Sequence, residues 1–439
     1  MKYLSENFPF APKRFPFFYG YMIAFSATLG YIFSAPGQTI GISVFTDHLI
    51  RHLHISRFQL SLAYAAGTIA SAMIIRKSSK LIDVFGSRMI AFLSAAGLGI
   101  TLLLMSRIDH VSFFISQDRT SLLIPVAIMT VTFGFLCMRF FGQGMLTLSS
   151  RTMLMQWFVE KRGRINSVTS IFVSLMFSGA PLVFEILIRR HGWRNAWSLL
   201  GVSLIFFLSV FIFLFYRNLP ETCGLIPDGS PPVKNPEDPI ETSWRLHEAR
   251  HTGTFWAFNL GLSLFSLLIT AVTFHIVSIF ELKGFPRQDA ISVFLPSSLI
   301  AVNINLIAGW LSDTHFFKYR MKYLLILMLG GLMLVSMGSM GLQQCWGKPV
   351  LIIGNGLASG LFATLVAVVW PRFYGRQHLG EIAGYNMAFL VFFSAVGPPL
   401  FGWSFSLFHS YSYALMISMV LVLGLLILAM KADRPLQNT

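Results

Sequence analysis

Blocks of roughly twenty apolar residues recur along this chain, and that recurrence leaves few folds open. A helix rises about 1.5 Å per residue, so roughly 20 residues cross a hydrocarbon core about 30 Å thick. Lipid offers no hydrogen bonds, so each crossing segment must satisfy its own backbone, as a helix does. The blocks lie near 17–45, 58–75, 89–106, 121–147, 166–188 and 196–216, then near 255–281, 290–311, 322–342, 349–371, 381–404 and 411–430. Hydrophobic residues make up 55% of the 439, and charged residues only 12%, about half the share in soluble domains. A soluble fold of that makeup would have no polar face to turn to water. The expected fold class is an all-α membrane protein with twelve transmembrane helices.

Charge gives the orientation. With the N-terminus inside, the loops and tails on the cytoplasmic side hold more than twice as many Lys and Arg as those outside. Under the positive-inside rule this places both termini in the cytoplasm, which requires an even number of crossings. The N-terminal segment has no short apolar core with a cleavage site, so no cleaved signal peptide is expected. The expected location is a bacterial inner (plasma) membrane.

The chain also repeats itself. Gly163-Arg-Ile165 recurs as Gly380-Glu-Ile382, and Pro181 recurs as Pro398 at the same offset. Leu81-Ile-Asp83 recurs as Leu311-Ser-Asp313 at a similar one. The repeat predicts an N-terminal six-helix half, 1–216, and a C-terminal six-helix half, 255–439. Between them, 217–254 is polar and contains Ile226-Pro-Asp-Gly-Ser-Pro-Pro, the composition of a linker. Repeated halves of this kind are a transporter architecture, with solute bound near the midplane.

Other function classes find little support. A net charge of +15 on a soluble protein would suggest nucleic acid; here the basic residues are scattered over short loops, and no nucleic-acid partner is expected. Cys137, Cys223 and Cys345 stand far apart and predict neither disulfides nor a metal site. No H-x4-D, HExxH, GxSxG or Walker A motif is present, so no enzyme is expected and no cofactor.

The loop after span 2 reads Ser79-Lys-Leu-Ile-Asp83-Val-Phe-Gly86-Ser-Arg88. It resembles the loop signature of the major facilitator superfamily, G-x-L-a-D-r-x-G-r, with Ser79 for the first glycine and Val84 for the first arginine. Gly309-Trp-Leu-Ser-Asp313 repeats its first half. Asp83 can cap a helix start or pair with a cation, and Gly86 permits a tight turn. Arg139-Phe-Phe-Gly142-Gln143-Gly144 is similar to the family's span-4 signature, with the glycines shifted by one. Ser178-Gly-Ala-Pro181 is similar to that of span 5. Pro220-Glu-Thr-Cys-Gly-Leu-Ile-Pro-Asp-Gly229, Gly375–Ile382 and Gly397-Pro398-Pro-Leu-Phe-Gly402 resemble the oxalate/formate antiporter and monocarboxylate transporter-like group. The resemblance implies the twelve-helix facilitator fold, transport by alternating access, and gating or structural roles for Asp83, Gly86, Arg88, Asp313, Pro181 and Pro398.

A charge within the bilayer is costly, so the polar residues inside spans are the candidates for meeting a solute. Arg139 is the only basic side chain well inside a span, placed either to bond a passing anion or to brace spans 4 and 1, roles that can coexist. Gln143 follows it, and Gln38 lies in span 1 beside Pro36-Gly37, where the helix is expected to loosen. His275 lies in the corresponding part of span 7, where a histidine can carry a proton near neutral pH or be held by a helix–helix hydrogen bond. Asn303 and Asn305 in span 8, Asn355 in span 10 and Asn386 in span 11 complete the set. Anion carriers of the resembled group often place a cation in span 8 or 11, and here span 8 has asparagines. Glu185 is expected to pair with Arg189 or Arg190. The expected function is secondary transport of a small solute, an organic anion such as a monocarboxylate, by proton coupling or exchange. The protein is expected to act as a monomer in the lipid bilayer. The alternatives are a larger amphipathic metabolite, drug or siderophore as cargo, and a non-transporting sensor on the same fold.

Overall fold

The computed structural model describes residues 7–55, 57–116, 120–229, 243–286, 289–290 and 292–435. Residues 230–242, the most polar part of the expected linker, lie outside them. The described residues form helices and contain no strand.

Among the described residues nine helices are long and apolar enough to cross a membrane. One, Arg162–Phe215, runs over 54 residues and holds two spans. Gly192, at φ 79° and ψ 156°, separates them. With the short apolar helix Gly20–Phe33 and with Arg57–Ser78, these helices supply the twelve expected crossings.

Three spans are irregular: the sixth widens into a π-turn at Ser203–Leu208, and the first and fourth change where the sequence places polar residues. The first is helical over Gly20–Phe33, tightens into a 3-10 turn at Ala35–Gly37, and resumes at Thr39–Ser43. Pro36 has no N–H to donate and a fixed φ, which explains the break. The fourth is α-helical over Thr120–Met138, widens into a π-turn at Arg139–Leu146, and continues as Thr147–Trp157. Hydropathy ends this span near 147, ten residues early. The polar continuation stays helical because its hydroxyls find internal acceptors. Ser149 Oγ donates to Met145 O at 2.7 Å, and Ser150 Oγ lies 2.8 Å from the Tyr216 hydroxyl.

Contacts divide the chain into two compact units. One comprises Met1–Val159, Thr169–Lys234 and Ala383–Ala388. The other comprises Glu160–Val168, Asn235–Ile382 and Phe389–Thr439. Small residues allow close helix contacts within each, as expected where lipid removes the hydrophobic drive for association. In the first unit, a Cβ on Gly37 would fall 2.5 Å from Met138 O and 2.8 Å from Gly142 Cα. In the second, a Cβ on Gly354 would fall 2.8 Å from Gly331 O. Large apolar side chains such as Met129, Phe133, Phe206 and Val420 are left exposed, the surface a lipid solvent requires.

Candidate functional site

The break in span 1 and the π-turn in span 4 touch each other through Gly37 and Gly142. π-Turns and broken helices free backbone groups and re-aim side chains, and they concentrate at functional sites. The side chain carried by this π-turn is Arg139. It is 2% exposed. Its Nη1 donates to Thr39 Oγ1 at 3.2 Å, and its guanidinium carbon stands 5.5 Å from the centroid of the Tyr64 ring. The Tyr64 hydroxyl in turn lies 2.8 Å from Thr39 Oγ1. Arg139 Nε is buried without a hydrogen-bond partner among the described residues. No carboxylate pairs with the guanidinium among them.

Gln38 and Gln143 flank this cation along the same two spans. Gln38 Nε2 donates to Ser34 Oγ at 3.1 Å and to Thr147 Oγ1 at 3.4 Å. Thr147 also donates to Gly142 O at 3.1 Å, inside the π-turn. Gln38 therefore ties the two irregular segments together. Gln143 differs: its Oε1 is buried with no partner among the described residues. Sequence reasoning named Arg139, Gln38 and Gln143 but missed Tyr64, whose position in an ordinary apolar span carries no signal.

The candidates in the second unit fall into separate places. His275 Nε2 lies 2.9 Å from Pro398 O. A carbonyl only accepts, so Nε2 carries the proton and Nδ1 is the acceptor in the neutral ring. Nδ1 lies 3.2 Å from the Tyr411 hydroxyl, which also reaches Ser278 Oγ at 3.0 Å. Pro398 and Pro399 lie inside the helix Leu379–Phe408, and His275 bonds the wall of that helix at its prolines. Asn305 is buried and donates to Gly360 O and Thr364 Oγ1, both at 3.2 Å. Asn303, two residues away and so on another face, is exposed and donates back to Leu299 O at 2.8 Å. Asn355 accepts from Ser359 Oγ at 3.4 Å. Asn386 is buried in the segment assigned to the first unit. Among the described residues, none of Asn303, Asn305 and Asn355 hydrogen-bonds His275.

The loop motifs hold helix ends. Gly86 has φ 81° and ψ 156°, a backbone that disfavours any Cβ. A Cβ there would also run into the Asn218 side chain. Asn218 Oδ1 accepts from Arg88 N at 2.9 Å. Arg88 is buried and donates to Phe213 O at 3.0 Å and Phe8 O at 2.8 Å. Asp83 is half-buried on the preceding turn. Asp313 pairs with Arg372 at 2.9 Å and accepts from the backbone N–H of Gly163 and Arg164, each at 3.0 Å. It thus caps the start of span 5, from a different helix. Pro181 lies within the span-5 helix. Glu185 pairs with Arg189 at 2.7 Å. Among the described residues no three His, Cys, Asp or Glu side chains gather as metal ligands.

The profile of the Major Facilitator Superfamily matches residues 27–354. No curated protein sequence matches the chain. Several solved structures share its fold. A bacterial homologue of the iron transporter ferroportin, in an outward-facing state, is 14% identical with a TM-score of 0.66, over 93% of this chain and 99% of that one. The proton:xylose symporter XylE, bound to 6-bromo-6-deoxy-D-glucose, is 14% identical with a TM-score of 0.62, over 94% and 95%. The fucose:proton symporter FucP of E. coli is 14% identical with a TM-score of 0.56, over 95% and 100%. At this identity the likeness concerns the fold alone.

Proposed function

Because the chain belongs to the Major Facilitator Superfamily, and is therefore a membrane transporter, we propose that it carries a small organic anion across the bilayer by alternating access. The observation that carries this reading is the lone guanidinium of Arg139. Placing a charge at bilayer depth costs about 2.5–3.5 kcal/mol on insertion scales. The Tyr64 face returns roughly 0.5–2 kcal/mol through its quadrupole, and Thr39 engages one N–H. A carboxylate offers two acceptor oxygens in the spacing of the guanidinium fork. It would neutralise the charge and engage N–H groups that no described residue engages.

In this reading the bodies of the cycle are residues 1–216 and 255–439, with 217–254 as the cytoplasmic connection, in an inner membrane with both termini inside. The stretches Pro220–Gly229 and Gly397–Gly402 support the monocarboxylate-like subgroup. His275 is the one imidazole within the spans and serves as the proton-bearing group.

The test is counterflow of labelled carboxylates in proteoliposomes. Arg139→Gln should abolish flux while the protein reconstitutes in normal amount. Arg139→Lys should not restore it, because an ammonium lacks the planar fork. Unchanged carboxylate flux in Arg139→Gln would overturn the anion site.

A further inference from the structure

The helix that hydropathy ends near 147 runs on to Trp157 and so carries a second cation, Arg151, within span 4. Every other residue from Gly144 to Met155 is buried, and Arg151 alone keeps part of its surface. That stretch makes more than three turns, so a face turned to lipid or bulk water would show further exposed residues. Arg151 therefore opens on a crevice in an enclosed part of the helix. Span 1 holds its guanidinium on two sides. Arg151 Nε donates to the Tyr31 hydroxyl at 2.9 Å, and the guanidinium carbon stands 5.9 Å from the centroid of the Tyr31 ring. Neither Nη group has a partner among the described residues, and neither is fully buried. The other enclosed arginines are built differently. Arg88 sends N–H groups to Phe213 O and Phe8 O, Arg217 to Leu214 O and Tyr216 O, and Arg372 to Asp313. Those cations hold helix ends. Arg151 spends only Nε on the protein and presents the end of its fork.

We propose that Arg151 and Tyr31 form a second anion-binding site, a separate station for a carboxylate on its way to or from Arg139. The two Nη groups donate in parallel and match the two oxygens of a carboxylate. Tyr31 fixes the plane of the fork through Nε and covers the guanidinium with its ring. Arg151 lies twelve residues beyond Arg139 on the same helix, on the order of 15 Å along its axis. One small anion cannot touch both guanidinium groups across that distance, so the stations are occupied in turn. In the orientation proposed above, Arg151 stands on the cytoplasmic side of Arg139, and its station sets the affinity seen from the cytoplasm. This inference rests on the anion reading and adds to it a site with a side.

Membrane vesicles of both orientations, made from cells producing the full-length protein, read the two faces separately. The probes are labelled mono- and dicarboxylates of one to four carbons. Arg151→Gln should raise KM on the cytoplasmic face at least about tenfold, because the charge-assisted fork is gone, and leave KM on the outer face within about twofold. Arg151→Lys keeps the charge without the fork and should fall between wild type and Arg151→Gln. Tyr31→Phe keeps the ring and removes the hydroxyl that orients Nε. It should raise the same constant about threefold, and it decides the matter if Arg151→Gln does not reach the membrane. A KM unchanged on both faces, the result for a guanidinium that only braces Tyr31 or holds a lipid headgroup, would overturn the site. So would a KM raised on both faces alike or on the outer face alone. If the wild-type protein moves none of these anions in either vesicle, the anion reading fails and takes this inference with it, a result in which the variants play no part.

Discussion

Asp313 and Arg372 form an ion pair of 2.9 Å whose side chains are 2% and 3% exposed, and the same carboxylate caps the helix that begins at Arg162. The two roles explain why the aspartate can be buried at all. Arg372 neutralises it, and the N–H groups of Gly163 and Arg164 occupy its oxygens. The helix start supplies partial positive charge in addition.

Breaking one member should therefore cost more than removing both. Arg372→Met leaves a buried carboxylate, and Asp313→Asn leaves a buried guanidinium; each is expected to destabilise by about 3–5 kcal/mol. The double variant should cost less than the sum of the two. Thermal unfolding of the detergent-purified proteins checks this, and strict additivity would mean the pair is not coupled.

Gly37 is the second point where the structure has no slack. A side chain there would strike the Met138 carbonyl and Gly142 Cα, and backbone cannot move aside as a side-chain tip can. Gly37→Val should push spans 1 and 4 apart, cost about 1–3 kcal/mol as overpacking does, and lose flux by withdrawing Thr39 from Arg139. Normal flux with a lowered Tm would show that the contact is structural only.

The helices were readable in advance because lipid imposes one simple rule on length and polarity. Arg139 was readable for the same reason: a cation in a span is rare enough to stand out. Its surroundings were not. Tyr64 is one of twelve tyrosines, and nothing local marks it as the one facing a guanidinium. Arg372 lies at the end of an apolar block and reads as an ordinary loop cation, yet it is buried on Asp313. Gly163 and Asp313 were each visible as motifs, while their hydrogen bond is a tertiary fact. The π-turn over Arg139–Leu146 has a composition indistinguishable from α-helix. The separation of Asn303 from Asn305 follows from helix geometry, since two residues turn the chain by roughly 200°.

His275 makes a prediction that separates scaffold from proton carrier. Protonation adds a hydrogen at Nδ1, where the Tyr411 hydroxyl can turn to accept it, and leaves the bond from Nε2 to Pro398 O in place. The ring can thus change charge without losing its anchor. His275→Gln keeps a donor for Pro398 O and should hold Tm near wild type, while the pH dependence of flux between about pH 5 and 8 flattens. His275→Phe leaves Pro398 O without this donor and should lose about 1–3 kcal/mol of stability. A pH profile unchanged in His275→Gln would exclude the ring as proton carrier.

Asp109 and Arg194, in the loops after spans 3 and 5, give the fold an acid limit. Burial raises the Asp109 carboxyl, but the hydrogen bond and charge of Arg194 outweigh it and leave the pKa below its ordinary 3.8. A carboxyl depressed in the folded state contributes stability that is present above the unfolded pKa and is lost as pH falls through the folded one. The pair should therefore hold at neutral pH and weaken only below about pH 4. Asp109→Asn should lower Tm at pH 7 and converge with wild type as the buffer is taken below the folded pKa of Asp109, because acid then removes from the wild type the charge that the variant never carries. Arg194→Leu should lower Tm at pH 7 as well, since burial would then push the Asp109 carboxyl up with nothing to oppose it. If the Tm curves of wild type and Asp109→Asn ran parallel from pH 7 to below that pKa, the pair would contribute nothing that depends on its charge.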